Sequence, residues 1–524
     1  MEKRKVEIYD TTLRDGSQMN GINFSVEDKL RIVQKLDDIG IDYAECGWPG
    51  SNPKDEEFFK LIKMIKLSHI KISAFGSTRH PRYSVENDPN LKKIIEAQPD
   101  VSAIFGKAWD FHVEKALEIS LEKNLEIIED SIRYVKKEIK KVFFDAEHFF
   151  DGYKANPEYA IKVLKAAEKG GADILVLCDT NGGCLYSEIG KIIDEVKTKV
   201  HKPLAIHAHN DGGLGTANSI EAVNRGAIQV QGTINGYGER CGNANLCEVI
   251  PNLVLKMGIS NLKERLGKLT RVSRFVSEIS NMAHMENQPY VGGNAFAHKG
   301  GIHVSAVIKS PKTYEHIEPE KVGNKRTVLV SDLAGRSNIV LKAQELGIGL
   351  DKDDKVVKDV VAKIKDLENQ GYEFEGADGS FELLLKKAMR TRKYFFDLKS
   401  FRLIIERTEM DKLVAEATVK MQVDGNKSIT HTVSEGDGPV NALDAALRKA
   451  LLPDYPQIDN IELVDYKVRV LNGKEGTAAK VRVLIETMDK NTNEKWGTVG
   501  VSENIIKASW EALIDSIEIY LHRH

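Results

Sequence analysis

Pro203-Leu204-Ala205-Ile206-His207-Ala208-His209-Asn210-Asp211-Gly212-Gly213 is the stretch whose reading decides the fold. Its apolar opening reads as a buried strand, and its Gly-Gly end reads as the loop that leaves it. Side chains alternate along a strand with period two, so His207 and His209 leave the same face. Two imidazoles placed that way can bind a single divalent metal. The stretch is a strand that ends in chemistry.

Working outward, the same unit recurs on both sides. Strands read at Val6–Leu13, Tyr43–Cys46, Lys71–Phe75, Val101–Phe105, Lys141–Ala146, Ile174–Cys178, Leu204–Ala208 and Gln229–Ile234. Amphipathic helices read between them, at Val26–Ile39, Pro53–Lys66, Leu125–Lys140, Pro157–Lys169, Ser187–Val200 and Thr216–Arg225. Ser25 followed three residues later by Asp28 is a start signal for the first of these. Eight strand–helix repeats predict a closed (β/α)₈ (TIM) barrel in the α/β class rather than an open doubly wound sheet. No Gly-X-Gly-X-X-Gly follows the first strand, which further disfavours a dinucleotide fold.

In such barrels the reacting groups sit at the C-terminal ends of the strands. Here strand one ends Asp10-Thr11-Thr12-Leu13-Arg14-Asp15-Gly16 and strand two ends in Glu45. Strand five ends Asp145-Ala146-Glu147-His148, and strand six ends Asp179-Thr180-Asn181-Gly182-Gly183. Strand eight runs into Asn235-Gly236-Tyr237-Gly238-Glu239-Arg240-Cys241-Gly242-Asn243. Ionisable and polar residues thus collect at one rim, which solvated loops alone explain poorly.

The chain has 524 residues, enough for two or three domains, with 41% hydrophobic and 29% charged residues. A net charge of −3 gives no basic surplus for nucleic acid. No apolar run reaches the roughly 18 residues a membrane helix needs. The start leads straight into a strand, which predicts no signal peptide. Five cysteines without a Cys-X-X-Cys predict reduced thiols in the cytoplasm. Cys241 and Cys247 read as small buried thiols rather than ligands.

Three motifs together resemble a known family. Asp10-Thr11-Thr12-Leu13-Arg14-Asp15-Gly16, His207-Ala208-His209-Asn210-Asp211 and Gly236-Tyr237-Gly238-Glu239-Arg240-Cys241-Gly242-Asn243 are similar, in order, to those of the metal-dependent acyl-CoA-condensing synthase and lyase barrels. The segments Asn294–His303 and Ser434–Ala442 are similar to the post-barrel and regulatory segments of the synthases, which the lyases lack. The resemblance implies a metal held by Asp15, His207, His209 and Asn243. That mixed nitrogen and oxygen shell suits Mn²⁺, Zn²⁺, Co²⁺ or, less comfortably, Mg²⁺. It implies that Arg14 holds the ketone oxygen of a 2-oxo acid as it becomes an alkoxide, and that Glu147 and Thr180 contact that acid. Glu147 on one side, and His303 with Tyr314 on the other, are the competing acid–base groups. The reaction implied is a Claisen condensation of acetyl-CoA with the ketone, followed by thioester hydrolysis.

The bulky strand-five exit, His148-Phe149-Phe150, is expected to shrink the acceptor pocket. With the C-terminal Gly500–Ile506 and Ala508-Ser509-Trp510, it resembles the pyruvate-accepting branch of the family. A branched acceptor, 2-oxoisovalerate, is the alternative, and a non-catalytic metabolite sensor is the reading from another class. The expected domains are a catalytic barrel over residues 1–274, helical linker subdomains that complete the site over 275–396, and a C-terminal α+β regulatory domain over 397–524. Past residue 400 strands read at Phe401–Glu406, Ala415–Val423, Ser428–Val433, Lys467–Leu471 and Lys480–Glu486, with helices at Pro439–Leu451 and Ser502–His522. The resemblance makes that last domain effector-binding and dimer-forming, with isoleucine as the effector (leucine for the alternative) and a homodimer as the assembly.

Overall fold

The structure, a computed structural model, describes residues 5–259, 262–330, 335–351, 354–407, 413–424, 428–471 and 479–524. It divides into two compact units, one of residues 1–296 with 317–325 and the other of 297–316 with 326–524.

The first unit is a closed barrel of eight parallel strands. They are β1 (Glu7–Asp10), β2 (Tyr43–Glu45), β3 (Lys71–Ser77), β4 (Val101–Lys107), β5 (Lys141–Glu147), β6 (Ile174–Asp179), β7 (Leu204–Ala208) and β8 (Gln229–Gly232). β1 bonds both β2 and β8, which closes the ring. The lower interior is filled by Tyr9, Tyr43, Phe143, Val176 and Ala205, all buried. The interior is a packed core, so only the rim has room for a ligand. The helices cover the outside through their apolar faces. Helix Val26–Ile39 opens with the expected capping box, in which Ser25 and Asp28 bond each other's backbone N–H groups. Helix Pro89–Ala97 went unread in the sequence, and Asp88 caps it through the Leu91 N–H.

β1 is shorter than expected. The Asp10 carboxylate accepts from the Thr12 N–H at 3.0 Å and the Thr12 hydroxyl at 2.8 Å. This local turn competes with the strand ladder, so the backbone turns before Arg14 rather than after it. Arg14 and Asp15 therefore lie in the turn, not on opposite faces of a strand.

In the second unit β9 (Ala297–His298) and β10 (Thr327–Val328) form a two-stranded pair. Beyond helices Arg336–Glu345, Lys355–Asn369 and Asp378–Ala388 come two antiparallel three-stranded sheets. The first comprises β11 (Phe396–Arg407), β12 (Leu413–Val423) and β13 (Thr430–Gly436), covered by helix Pro439–Leu451. The second comprises β14 (Ile461–Val470), β15 (Val481–Asp489) and β16 (Lys495–Ser502), covered by helix Ile505–Arg523. Ala415, Ala417, Val419, Met421 and Val423 alternate inward along β12, so each sheet packs one apolar face on a helix. β16 was unread in the sequence: its Trp496–Val499 run is buried on both faces and lacks the alternation that marks a half-exposed strand.

Candidate metal centre

The C-terminal rim of the barrel brings Asp15, His207 and His209 together. His207 Nε2 is 3.2 Å from Asp15 Oδ2, His209 Nε2 is 3.9 Å from it, and the two Nε2 atoms are 3.3 Å apart. All three residues are buried, and one donor atom from each lies within 4.8 Å of the others. Bonds of about 2.0–2.2 Å to one cation, at right or tetrahedral angles, put neighbouring donors about 3.0–3.4 Å apart. The His207–Asp15 and His207–His209 separations fit that shell, and the 3.9 Å between His209 and Asp15 is longer than it.

The electrostatics fit it too. Burial first, then the neighbouring His207 charge, pushes His209 down to about 3, so it is a neutral imidazole with a free lone pair. Burial opposes the Asp15 charge, but Arg14 and the His207 hydrogen bond hold that carboxyl well below the usual range. Asn243 completes the group: its amide nitrogen is 3.0 Å from Asp15 Oδ2 and 3.2 Å from His207 Nε2. Amide oxygen and nitrogen are interchangeable by rotation about the last bond, so the same position delivers an oxygen to a cation. The Asn243 Oδ1 and His209 Nδ1 atoms are buried without a hydrogen-bond partner among the described residues.

The loop after β8 places Asn243 by its glycines. Gly238, at φ +156°, leaves no room for a side chain because Asn243 Oδ1 lies against its Cα, and Gly242 turns left-handed at φ +84°. Arg240 then ties three rims together: its Nε donates to Asp211 Oδ1 at 2.8 Å, and its Nη2 donates to the Thr180 carbonyl at 2.7 Å. Cys241 in this loop is exposed, contrary to the expectation, because the turn carries it away from the core. Cys247 is buried, and all five cysteines are free thiols.

Arg14, Glu147 and Thr180 line the same cavity as Asp15, His207 and His209, a space of about 230 Å³. Arg14 Nη1 is 3.6 Å from Asp15 Oδ2. Glu147 pairs with Lys107, a partner that sequence reading missed because it closes a neighbouring strand. The Thr180 hydroxyl accepts the His148 N–H at 2.8 Å. His148 adopts a left-handed backbone, φ +55°, to present it.

The strand-five exit does not narrow the pocket. Phe149 and Phe150 are fully buried among the barrel helices and do not line the cavity. Its apolar wall is instead Trp48, Phe75 and Phe105, from the ends of β2, β3 and β4. Phe75 and Phe105 stack at 5.1 Å, and Trp48 meets both edge-on at 5.8 and 5.7 Å. Both phenylalanines stand where strands three and four were expected to end, which was the legible signal.

His303 and Tyr314 belong to the second unit. His303 lies on helix Gly301–Lys309, and its ring centroid is 4.3 Å from that of Tyr314.

A closed barrel with a carboxylate–imidazole cluster at its rim is the architecture of a metal-dependent enzyme, and the chain belongs to the HMGL-like family, which it matches over residues 5–276. Residues 290–372 match the homocitrate synthase post-HMGL domain-like family, and residues 375–521 match the LeuA allosteric (dimerisation) domain. The chain is 57% identical to the (R)-citramalate synthase of Geobacter sulfurreducens, across 99% of this chain and 98% of that one. It is 55% identical to the (R)-citramalate synthase of Aquifex aeolicus, across 98% and 97%. Among solved structures, the hydroxymethylglutaryl-CoA lyase of Pseudomonas aeruginosa covers 54% of this chain and 96% of its own, at 20% identity and a TM-score of 0.46.

Proposed function

We propose that this chain is an acyltransferase that condenses acetyl-CoA with pyruvate and hydrolyses the thioester, releasing citramalate and CoA toward isoleucine. The observation that carries this reading is the Asp15–His207–His209 cluster opening beside Arg14 into a small, aromatic-walled cavity. An aromatic wall of three packed rings beside the cluster suits an acceptor whose side chain is a methyl group.

Asp15, His207, His209 and Asn243 would hold a divalent cation (Mn²⁺, Zn²⁺, Co²⁺ or Mg²⁺) that supplies Lewis-acid polarisation of the acceptor ketone. Arg14 offers N–H donors where the alkoxide develops. Thr180 already accepts from the His148 backbone, so its own proton is free to donate to the acceptor carboxylate. Glu147 stands in the cavity and takes the acetyl methyl proton; His303 with Tyr314 is the competing pair. Hydrogen–deuterium exchange into the acetyl-CoA methyl group separates them: E147Q abolishes exchange if Glu147 is the base, and H303A abolishes it otherwise.

The C-terminal unit serves as the regulatory and dimerising part, with isoleucine as effector and a homodimer as assembly. Ile405 on the edge strand β11, and Val468 and Val470 on the edge strand β14, are exposed apolar residues suited to a second copy. We place the enzyme, with its free thiols, in the cytoplasm. Among the described residues no helix is long and apolar enough to cross a membrane.

The deciding experiment is a thiol-release assay with acetyl-CoA and a panel of 2-oxo acids. Pyruvate should give the largest kcat/KM. A larger value for 2-oxoisovalerate makes the chain a 2-isopropylmalate synthase, and no CoA release with any acid makes it a metabolite sensor.

A further inference from the structure

The register of β7 on β8 sets His207 directly beside Gln231. Both point into the barrel, and His207 Nδ1 is 2.9 Å from Gln231 Oε1. The Gln231 amide nitrogen is turned toward the buried Asp145. Neither that nitrogen nor Asp145 Oδ1 has a hydrogen-bond partner among the described residues. A carboxyl group, charged or protonated, keeps an oxygen that accepts, so its neighbourhood favours the amide with its nitrogen on that side and its oxygen on the imidazole. An acceptor at Nδ1 requires the proton there. The lone pair is then left on Nε2, the atom that lies 3.2 Å from Asp15 Oδ2 and 3.3 Å from His209 Nε2. The second imidazole has no such support: His209 Nδ1 is buried without a partner among the described residues.

We infer that Gln231 is the positioning residue that fixes the metal-binding tautomer of His207, making His207 the anchored imidazole of the centre and His209 the loose one. The inference rests on the metal reading of the Asp15–His207–His209 cluster. It assigns work to Gln231, which does not line the cavity, in line with the acceptors that orient metal-bound histidines elsewhere.

The test is metal affinity, measured on the full chain by calorimetry with Co²⁺, together with the visible absorption band of the bound Co²⁺. Q231L removes the acceptor and should weaken Co²⁺ binding about 10- to 100-fold with an altered band. Q231E replaces it with a stronger acceptor and should bind within a few-fold of wild type. Where Q231L fails to fold, Q231M keeps the length and carries the same expectation. Wild-type affinity and an unchanged band in the apolar variant overturn the inference. So does a Q231E variant that binds as weakly as Q231L, since the role is then packing alone. A wild-type chain that binds no Co²⁺ overturns the metal reading itself, which the variants do not need to show.

Discussion

Arg14 lies flat on Phe75, its guanidinium carbon 3.7 Å from the ring centroid, while its Nε donates to Glu45 Oε1 at 2.5 Å. Glu45 is fully buried and also accepts from Tyr9 at 2.8 Å. One face and one edge of the guanidinium are thus spoken for, and the rest is aimed past Asp15 into the cavity. The planar, forked head is what this arrangement uses, and lysine cannot reproduce it.

R14K should therefore lower kcat about 10²- to 10³-fold, the usual loss of one donor to a developing oxyanion, with a smaller change in KM. E45Q should cost stability as well as rate. It removes the closer of the two carboxylates beside the buried Arg14; breaking a buried pair typically costs about 3–5 kcal/mol, an upper bound here because Asp15 stays 3.6 Å away. Steady-state kinetics with chemical denaturation of each variant checks both. An E45Q protein as stable as wild type removes the argument.

The aromatic wall predicts a shift in acceptor choice. F105L and F75L should each raise the kcat/KM for 2-oxoisovalerate relative to pyruvate by about 10- to 200-fold, the range that a methylene or two commands. F149L, in the packed shell behind the strand-five exit, should lower stability and leave the ratio unchanged. A ratio that moves with Phe149 and not with Phe105 restores the strand-five exit as the selector.

Removing the metal should abolish CoA release and lower the melting temperature together. A cation at a hundredfold excess over its Kd adds about 2.7 kcal/mol to the folded state. Chelation followed by thermal melts, with and without added Mn²⁺, measures this. H209A should lose most of the metal-dependent rise, and a melting temperature indifferent to chelator would argue that the cluster binds nothing.

The second unit carries its own pH dependence. Burial raises Asp515 to about 6, against the pull of Ser380 at 2.7 Å and of Arg392, which also pairs with Glu518. The folded chain then holds this proton more tightly than the unfolded chain does. Stability should fall as pH rises from about 4 to about 6, by up to about 3 kcal/mol, and stay level above that. D515N keeps an oxygen for Ser380 and should flatten this slope in denaturation curves followed through Trp496 and Trp510 fluorescence.

The apolar strands predict assembly. I405E combined with V468E should shift the sedimenting species from dimer to monomer and abolish inhibition by isoleucine. A dimer that survives both changes places the interface elsewhere.

Much of this was legible in the chain. Periodicity located the eight barrel strands, because a strand buried on both faces between amphipathic helices has few other readings. The two histidines two residues apart suggested a metal through local geometry, while Asp15 and Asn243 joined them only through the family resemblance. Local geometry is also where legibility stopped. Which residue stands beside His207, which rings wall the cavity and which lysine meets Glu147 depend on the register between parallel strands far apart in sequence. Gln231 sits on His207, Phe75 on Phe105 and Lys107 beside Glu147 only once the ring closes. Short-range pattern determined the elements and the histidine pair. Long-range strand pairing decided the partners, because hydrogen-bond register, not spacing along the chain, sets which side chains share one layer of a barrel.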